Sequence, residues 1–96
     1  MTKKSFELGQ ILITQGIKQI LNENPILQIT LDIHLESYQA CHWGITNKDD
    51  RALNDKAVIS NNDRIMAVYM LDDNIKIWII TEWDRSVTTV LLPEEY

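Results

Sequence analysis

Three runs of residues decide the fold: Arg64-Ile65-Met66-Ala67-Val68-Tyr69-Met70-Leu71, Lys76-Ile77-Trp78-Ile79-Ile80-Thr81-Glu82 and Val87-Thr88-Thr89-Val90-Leu91-Leu92. Each is of strand length and rich in branched and aromatic residues, which pack well on a pleated sheet. The links between them, Asp72-Asp73-Asn74 and Trp83-Asp84-Arg85-Ser86, contain residues that favour turns. Because links this short cannot make a parallel crossover, the runs are predicted to pair as an antiparallel β-meander over residues 64–92.

Side chains alternate between the two faces of a strand. The middle run therefore places Ile77 and Ile79 on one face and Trp78 and Ile80 on the other, so both faces are apolar near its centre. We expect helices to pack on one face. The other face is expected to be either a surface for a partner or covered by the N-terminal segment.

Residues 14–59 are expected to form a helical cover over this sheet. The segment before them, Phe6 to Ile13, is interrupted at Gly9 and is predicted to be a fourth strand or a covering arm. Thr14 is a candidate N-cap for a helix over residues 15–22. The apolar positions of that helix are Ile17, Ile20 and Leu21.

Residues 26–38 fit two periodicities. Apolar residues at every second position from Leu27 to Leu35 are typical of a strand. Apolar residues at every fourth position over the same span, followed by Tyr38, are typical of a helix, and Asn24-Pro25 is a common start for one. Periodicity alone leans towards a strand.

A further helix is predicted to begin after Thr46 or Asn47, either of which can act as its N-cap. Asp49 and Asp50 then lie in the first turn, where the helix dipole favours negative charge. Asn54 on this helix is expected to reach a backbone group of the hairpin that follows. The residues expected to face the core are Ala52, Leu53, Ala57 and Val58.

Length and composition indicate a single globular domain over residues 1–96, with 45% hydrophobic and 24% charged residues. The expected fold class is α+β, with two or three helices packed on an antiparallel sheet of three or four strands. The one cysteine, Cys41, excludes an internal disulfide and fits a reducing, cytoplasmic environment. No window approaches the roughly 18 apolar residues of a membrane span, so we expect no membrane contact.

The net charge is −5, and the nine basic residues are dispersed. Proteins that bind nucleic acids usually concentrate Lys and Arg on one face. We therefore expect no direct binding to nucleic acids.

Polar residues crowd the second hairpin and form the candidate binding site: Glu82, Trp83, Asp84, Arg85, Ser86 and Thr88. Arg85 can grip a carboxylate or phosphate through its planar guanidinium, oriented by Glu82 or Asp84. The alternative is a structural turn in which Asp84 bonds backbone amides and Arg85 pairs with a neighbouring acid. Trp83, beside the turn, is the candidate hot spot for a partner.

Two further tryptophans, Trp43 and Trp78, are expected to be buried anchors. No catalytic or metal site is predicted. Cys41 and His42 are adjacent, whereas catalytic cysteines and histidines are normally distant in sequence. His34 and His42 lack the additional ligands of a zinc site. We expect no enzyme activity and no cofactor.

The C-terminal residues Ile77-Trp78-Ile79-Ile80-Thr81-Glu82-Trp83-Asp84-Arg85-Ser86-Val87-Thr88-Thr89-Val90-Leu91-Leu92-Pro93-Glu94-Glu95-Tyr96 carry a resemblance. They resemble a family of small, uncharacterised bacterial proteins that are common on plasmids and other mobile elements. Weaker matches extend the resemblance over nearly the whole chain: Leu8-Gly9-Gln10, Trp43-Gly44, Asn54 and Ala57.

The resemblance implies that residues 26–38 are helical, because the matching segment of similar sequences is helical in character. This chain departs from the pattern at Cys41-His42, where similar sequences carry Gly-Asp. Such relatives are sometimes labelled plasmid-related or restriction-modification subunits. A methyltransferase activity does not fit this chain, which has neither a glycine-rich cofactor loop nor an Asn/Asp-Pro-Pro-aromatic motif.

The leading hypothesis is a non-enzymatic protein-interaction module from a bacterial mobile element. It would bind a protein through the hairpin 82–88 or an exposed sheet face, and a homodimer through that face is a variant. A second hypothesis is a small-ligand or anion site around Arg85. A third is an acidic counter-defence protein, of the anti-restriction or anti-CRISPR type.

Overall fold

The computed structural model describes residues 4–96 and contains three α-helices packed on a four-stranded sheet. The strands are β1 (Gln10–Ile13), β2 (Ile65–Asp72), β3 (Ile75–Thr81) and β4 (Val87–Leu91). The helices are α1 (Gln15–Glu23), α2 (Leu27–Gln39) and α3 (Lys48–Ser60), and a short 3₁₀ turn follows β4 at Pro93–Glu95. The α+β class predicted from the sequence is confirmed.

The C-terminal meander forms as predicted. β2 pairs antiparallel with β3, and β3 pairs antiparallel with β4. In the first hairpin the amide of Asn74 donates to the carboxylate of Asp72 at 2.8 Å, a local bond that favours the turn. In the second hairpin Arg85 adopts a left-handed backbone, with φ +61°.

The prediction of a purely antiparallel sheet is wrong, because β1 pairs in parallel with β4. The strand order is β1-β4-β3-β2, so the sheet is mixed and one of its strands comes from the N-terminal segment. The sequence predicted either a fourth strand or a covering arm for that segment, and it forms both. Residues 10–13 are a strand, and Phe6 and Leu8 before them are buried. Parallel pairing is possible because all three helices separate β1 from the meander and provide a long crossover.

Helix α2 resolves the ambiguity of residues 26–38 in favour of the helix. Leu27, Leu31 and Tyr38 are buried, as helical spacing requires. The intervening Ile29 and Ile33, which produced the strand-like alternation, are 62% and 56% exposed.

In α3 the predicted inward face is partly wrong. Ala57 is buried, but Ala52 is exposed and Leu53 is 60% exposed. Asn54 is buried instead, and its side chain bonds both backbone groups of Met66 on β2. These two bonds fix the rotation of the helix and turn its 52–53 side away from the sheet. The expected role of Asn54 is thereby confirmed.

All three helices lie in the single connection between β1 and β2, and they pack on one face of the sheet. Every apolar residue that the helices bury belongs to one core cluster. We call this side of the sheet the inner face; its members in that cluster are Ile65, Ala67, Tyr69, Leu71, Ile77, Ile79 and Val90. The tight turns from β2 to β3 and from β3 to β4 leave no room for a helix that would cover the opposite face.

The outer edge of β2 is closed by bonds from residues outside the sheet. Besides Asn54 at Met66, the Thr46 hydroxyl accepts from the amide of Val68 at 2.8 Å, and the amide of Ile45 donates to the Val68 carbonyl at 2.8 Å. His34 Nε2 lies 2.8 Å from the carbonyl of Met70. Edge strands expose unpaired backbone groups that attract other strands, and here these groups are satisfied internally.

Glu95, in the 3₁₀ turn after β4, connects that turn to the start of α1 through hydrogen bonds. Its carboxylate accepts from the Thr14 hydroxyl, from the amide of Leu92 at 2.9 Å and from the amide of Gly16 at 3.0 Å. The hydrogen bond from Thr14, followed by those from the two amides, lowers the pKa of Glu95 below its ordinary value. Thr14 is the N-cap residue as predicted, but its side chain serves Glu95 rather than the helix amides.

We expect Glu95→Gln to lower the melting temperature at pH 7 and to have a smaller effect in acid. A carboxylate whose pKa is lowered by folding stabilises the folded state above its unfolded pKa, and that contribution is lost as pH falls through the folded pKa. The difference between wild type and Glu95→Gln should therefore shrink below pH 4.5, the ordinary pKa of this group. Circular-dichroism melts from pH 7 to pH 3 measure this difference.

Glu94→Gln is the matched control, because Glu94 is an exposed carboxylate in the same 3₁₀ turn. A melting difference for Glu95→Gln that stays constant across this pH range would contradict the capping role.

Candidate functional site

The face of the sheet opposite the helices is apolar, and we call it the open face. Its residues are Leu12 of β1, Met66, Val68 and Met70 of β2, Trp78 and Ile80 of β3, and Thr89 and Leu91 of β4. Cross-strand register makes them neighbours: Met66 pairs with Ile80, Val68 with Trp78, and Trp78 with Leu91. They therefore form one continuous patch.

None of these residues belongs to the core cluster of the described chain. Ile80 and Leu91 at the centre are nearly inaccessible, at 6% and 5% exposed. Met66, Val68, Met70 and Trp78 around them are only partly buried. A contiguous apolar patch that stays partly exposed on a small protein is typical of an interaction site.

Tyr96 lies across part of the open face. Its ring packs edge-on against Trp78 at a centroid distance of 5.3 Å, and its hydroxyl accepts from Arg64 at 3.0 Å. The Arg64 guanidinium also lies 5.9 Å from the centre of the Tyr96 ring. Tyr96 remains 68% exposed, so its ring presents an aromatic surface over the part of the open face that it covers.

The open face continues into a groove of about 540 Å³ along the side of α3. Met66 and Arg64 line the groove on the sheet side, and Leu53 and Lys56 line it on the helix side. The exposed Leu53, which the sequence pattern assigned to the core, thus extends the apolar surface past the edge of β2.

The second hairpin, proposed from the sequence as a binding site, presents several exposed side chains. Trp83 is 60% exposed, and Glu82, Asp84 and Ser86 are exposed beside it. The Asp84 carboxylate accepts from the Ser86 hydroxyl at 2.6 Å and from the Ser86 amide at 3.0 Å. These bonds lower the pKa of Asp84 and hold the turn in the way the structural alternative expects.

Arg85 points inward from this turn and is 9% exposed. Its Nη1 donates to the carbonyl of Asp63 at 2.7 Å and also reaches those of Glu82 and Trp83. Its Nη2 donates to the carbonyl of Ala57 in the last turn of α3 at 2.9 Å. Arg85 therefore joins the end of α3, the following link and the hairpin, and the negative end of the helix dipole favours its charge.

No carboxylate of the described residues forms an ion pair with this buried guanidinium; backbone carbonyls accept its hydrogen bonds, and the Phe6 ring lies 6.0 Å from it. Nε is buried without a hydrogen-bond partner among the described atoms. A depression of about 480 Å³ lies beside Arg85, but Glu7 and Asp84 line it together with Lys4. Carboxylates in the wall disfavour an anion there, and the geometry of Arg85 supports a structural role.

Thr88, the last residue of the proposed hairpin site, is fully buried on the inner side of the sheet. Its hydroxyl donates to the carbonyl of Leu8 at 2.7 Å and lies 2.8 Å from the Thr81 hydroxyl. The Thr81 hydroxyl lies 2.8 Å from that of Tyr38. This row of hydroxyls ties the N-terminal arm and α2 to the sheet, and burial raises the pKa of Tyr38 far above its ordinary value.

Cys41 and His42 do not form a thiol–imidazole pair by any hydrogen bond among residues 4–96. Cys41 packs partly against the core, with a left-handed φ of +65°. His34 stacks on Tyr69 at 4.8 Å. The described part of the chain contains no group of three His, Cys, Asp or Glu side chains placed to hold a metal ion. No helix in that part is long and apolar enough to span a membrane.

From the sequence, the second face of the sheet was expected to be either a partner surface or covered by the N-terminal segment. None of the residues on the open face was predicted to be a site residue. Trp78 was expected to be a buried anchor, whereas it is only partly buried; Trp43 is 5% exposed and is an anchor as expected. The available signal was the apolar character of both faces of β3.

Comparisons with protein-family models, with curated proteins and with solved structures found no match to this chain.

We expect Arg85→Lys to lower the free energy of unfolding by about 2–4 kcal/mol. A lysine keeps the charge but cannot bond four carbonyls in the planar geometry of a guanidinium, and each bond to a charged group is worth about 1.5–3 kcal/mol. Chemical denaturation measures the loss. Arg51→Lys, at an exposed position of the same helix that Arg85 caps, is the control and should be close to neutral.

The same two variants test the anion site. A bound anion at about 100 times its dissociation constant would add about 2.7 kcal/mol of stability. We expect phosphate and nucleotides to shift wild type and Arg85→Lys equally, since phosphate stabilises proteins generally. A rise in melting temperature confined to proteins that retain Arg85 would assign the anion site to it.

Proposed function

We propose that this protein is a non-enzymatic interaction module that binds a protein partner through its open face. The single observation that carries this proposal is the apolar patch opposite the helices, which no described helix covers. A sheet normally buries its apolar face against a second layer of structure. Here one layer is present, and a partner would supply the second.

The chemistry of the patch supports binding to an apolar protein surface. Trp78 and Tyr96 provide large rings, which are common among residues that dominate binding energy. Met66 and Met70 have flexible, polarizable side chains that adapt to the shape of a partner. A homodimer through this face is a variant of the same proposal.

Two basic residues at the border of the open face would pair with carboxylates of a partner. Lys76 pairs with Met70 at one end of the patch, and Arg64 precedes Met66 at the other end. Both basic residues are exposed in a protein whose net charge is −5. Their placement would orient a partner more than it would add affinity.

The other hypotheses have less support from the geometry. The hairpin 82–88 exposes Trp83 but commits Arg85, Asp84 and Thr88 to internal bonds. An acidic counter-defence protein requires carboxylates free to mimic a nucleic acid. Asp55 accepts from Trp43, and Asp50 from Asn47, so these carboxylates are used in local bonds.

An origin in a bacterial mobile element rests on the resemblance of the C-terminal motif. At Cys41, where the pattern that the motif resembles has a glycine, the backbone φ is +65°. Glycine adopts this conformation without strain.

We expect Trp78→Thr to weaken partner binding at least tenfold, about 1.4 kcal/mol, because it removes the central ring while threonine keeps the strand propensity. Trp83→Thr removes the same ring from the hairpin and should leave binding close to wild type. The partner would be isolated by affinity purification from cells of the source organism and titrated against each variant by calorimetry. Circular-dichroism melts establish that both variants are folded.

Loss of binding in Trp83→Thr alone would place the interaction on the hairpin. Equal affinity for all three proteins, or the absence of any partner that binds stoichiometrically, would contradict the proposal.

A further inference from the structure

The two edges of the sheet differ. β1 lies at the edge opposite β2, and among residues 4–96 only β4 pairs with it. Ile11, Leu12 and Ile13 are 47%, 43% and 41% exposed, so this edge is open on both faces of the sheet. We propose that β1 pairs antiparallel with β1 of a second copy of this chain, which would join two four-stranded sheets into one of eight strands.

The edge at β1 lacks the features that keep edge strands apart. Lysines, prolines and covering groups commonly prevent edge strands from pairing. From Leu8 to Ile17 the chain contains no charged residue and no proline. The edge at β2, in contrast, is bonded at Met66, Val68 and Met70 by residues of the same chain. The open edge is therefore the one at which pairing can occur.

The hydrogen bonds of β1 determine which backbone groups are available. The amide of Gln10 donates to Ser86 at 2.9 Å, and the amide of Thr14 donates to Val90 at 3.1 Å. Alternate residues of a strand direct their backbone groups to the same side, so Leu12 also faces β4. The N–H and C=O groups of Ile11 and Ile13 therefore point outward.

These outward groups match those of a second copy related by a two-fold axis through Leu12. In this register Ile11 lies opposite Ile13 of the second copy, and the two residues exchange two hydrogen bonds. By symmetry, Ile13 lies opposite Ile11 of the second copy, and these two residues exchange two further hydrogen bonds. Leu12 then lies opposite Leu12 of the second copy, and every cross-strand pair near the axis is apolar or uncharged. In a protein of net charge −5, a neutral strand allows two copies to approach closely.

The two-fold axis would be perpendicular to the sheet, so the open faces of both copies would lie on the same side. The dimer would present one apolar surface of twice the extent. This pairing does not depend on the open face binding any partner, since it involves the edge alone.

Ile11→Pro tests the proposal directly. Proline is tolerated in an edge strand when its missing N–H faces outward, so the bonds to β4 are kept while one outward donor is removed. We expect wild type to be a dimer at micromolar concentration by light scattering coupled to size exclusion, and Ile11→Pro to be at least tenfold weaker in self-association. Circular dichroism establishes that the variant is folded.

A cysteine pair provides a second test that does not depend on proline. In a Cys41→Gly background, Leu12→Cys would place two Cα atoms about 4.5 Å apart in a pair without hydrogen bonds. Disulfides span Cα distances of about 4.4–6.8 Å, so mild oxidation should produce a covalent dimer. Gln10→Cys is the matched control: in this register it lies opposite Thr14 of the second copy, about 13 Å from its own equivalent.

We expect Leu12→Cys to cross-link rapidly and Gln10→Cys not to cross-link. We also expect Ile11→Pro to dimerise more weakly than wild type. Three results would overturn the proposal: a wild-type protein that is monomeric at millimolar concentration, a dimer unaffected by Ile11→Pro, or equal cross-linking at positions 10 and 12. A monomeric wild type would mean that the β1 edge does not pair with a second copy, and that any strand pairing there involves a different protein. A dimer unaffected by Ile11→Pro would place the dimer contact on another surface.

Discussion

The structure depends on one constraint: the three helices lie in a single connection between β1 and β2, so they cover only one face of the sheet. β1 and β2 run in the same direction at opposite edges, and a chain that crosses over between such strands stays on one side. The hairpins that link β2, β3 and β4 contain no helix. The inner face is consequently packed like a protein core, whereas no helix among residues 4–96 covers the apolar side chains of the open face.

Polar bonds at a few positions hold the two layers together. Asn54 fixes α3 to the edge of β2, Glu95 holds the start of α1, and Arg85 joins the end of α3 to the second hairpin. The hydroxyls of Tyr38, Thr81 and Thr88 connect α2, β3, β4 and the N-terminal arm across the buried inner face. The three hydroxyls are buried and hydrogen-bonded to one another, and polar groups satisfied in this way specify one arrangement of the layers. Arg85 and Thr88 of the second hairpin thus contribute to the packing of the cover on the sheet.

The parts of the fold that depend on local chemistry were predictable from the sequence. Branched residues and short turns specify the meander, and Asn47 caps α3 through the amide of Asp50, as its sequence pattern indicates. The parallel pairing of β1 was not predictable, because residues 10–13 and 87–90 are distant in sequence and no turn sets their direction. The face that α3 buries was also missed, since the bonds of a polar residue, Asn54, decide it more than the positions of Ala52 and Leu53 do.

The candidate site was less predictable than the fold. The motif around Arg85 is polar and conspicuous, yet most of its polar groups are satisfied inside the molecule. The residues of the open face resemble ordinary core residues in sequence, and only the placement of the helices distinguishes Met66 and Trp78 from Ile77 and Ile79. Whether an apolar strand face is covered is a property of the connections between the strands.

The most direct measurement of the central claim is the accessibility of methyl groups to a soluble paramagnetic agent by nuclear magnetic resonance, on dilute protein without a partner. An open face predicts strong relaxation of the Met66 and Met70 methyl groups, and weak relaxation of those of Ala67 and Ile79 on the inner face. Equal protection of both sets would show that the supposed open face is covered, and would contradict the account.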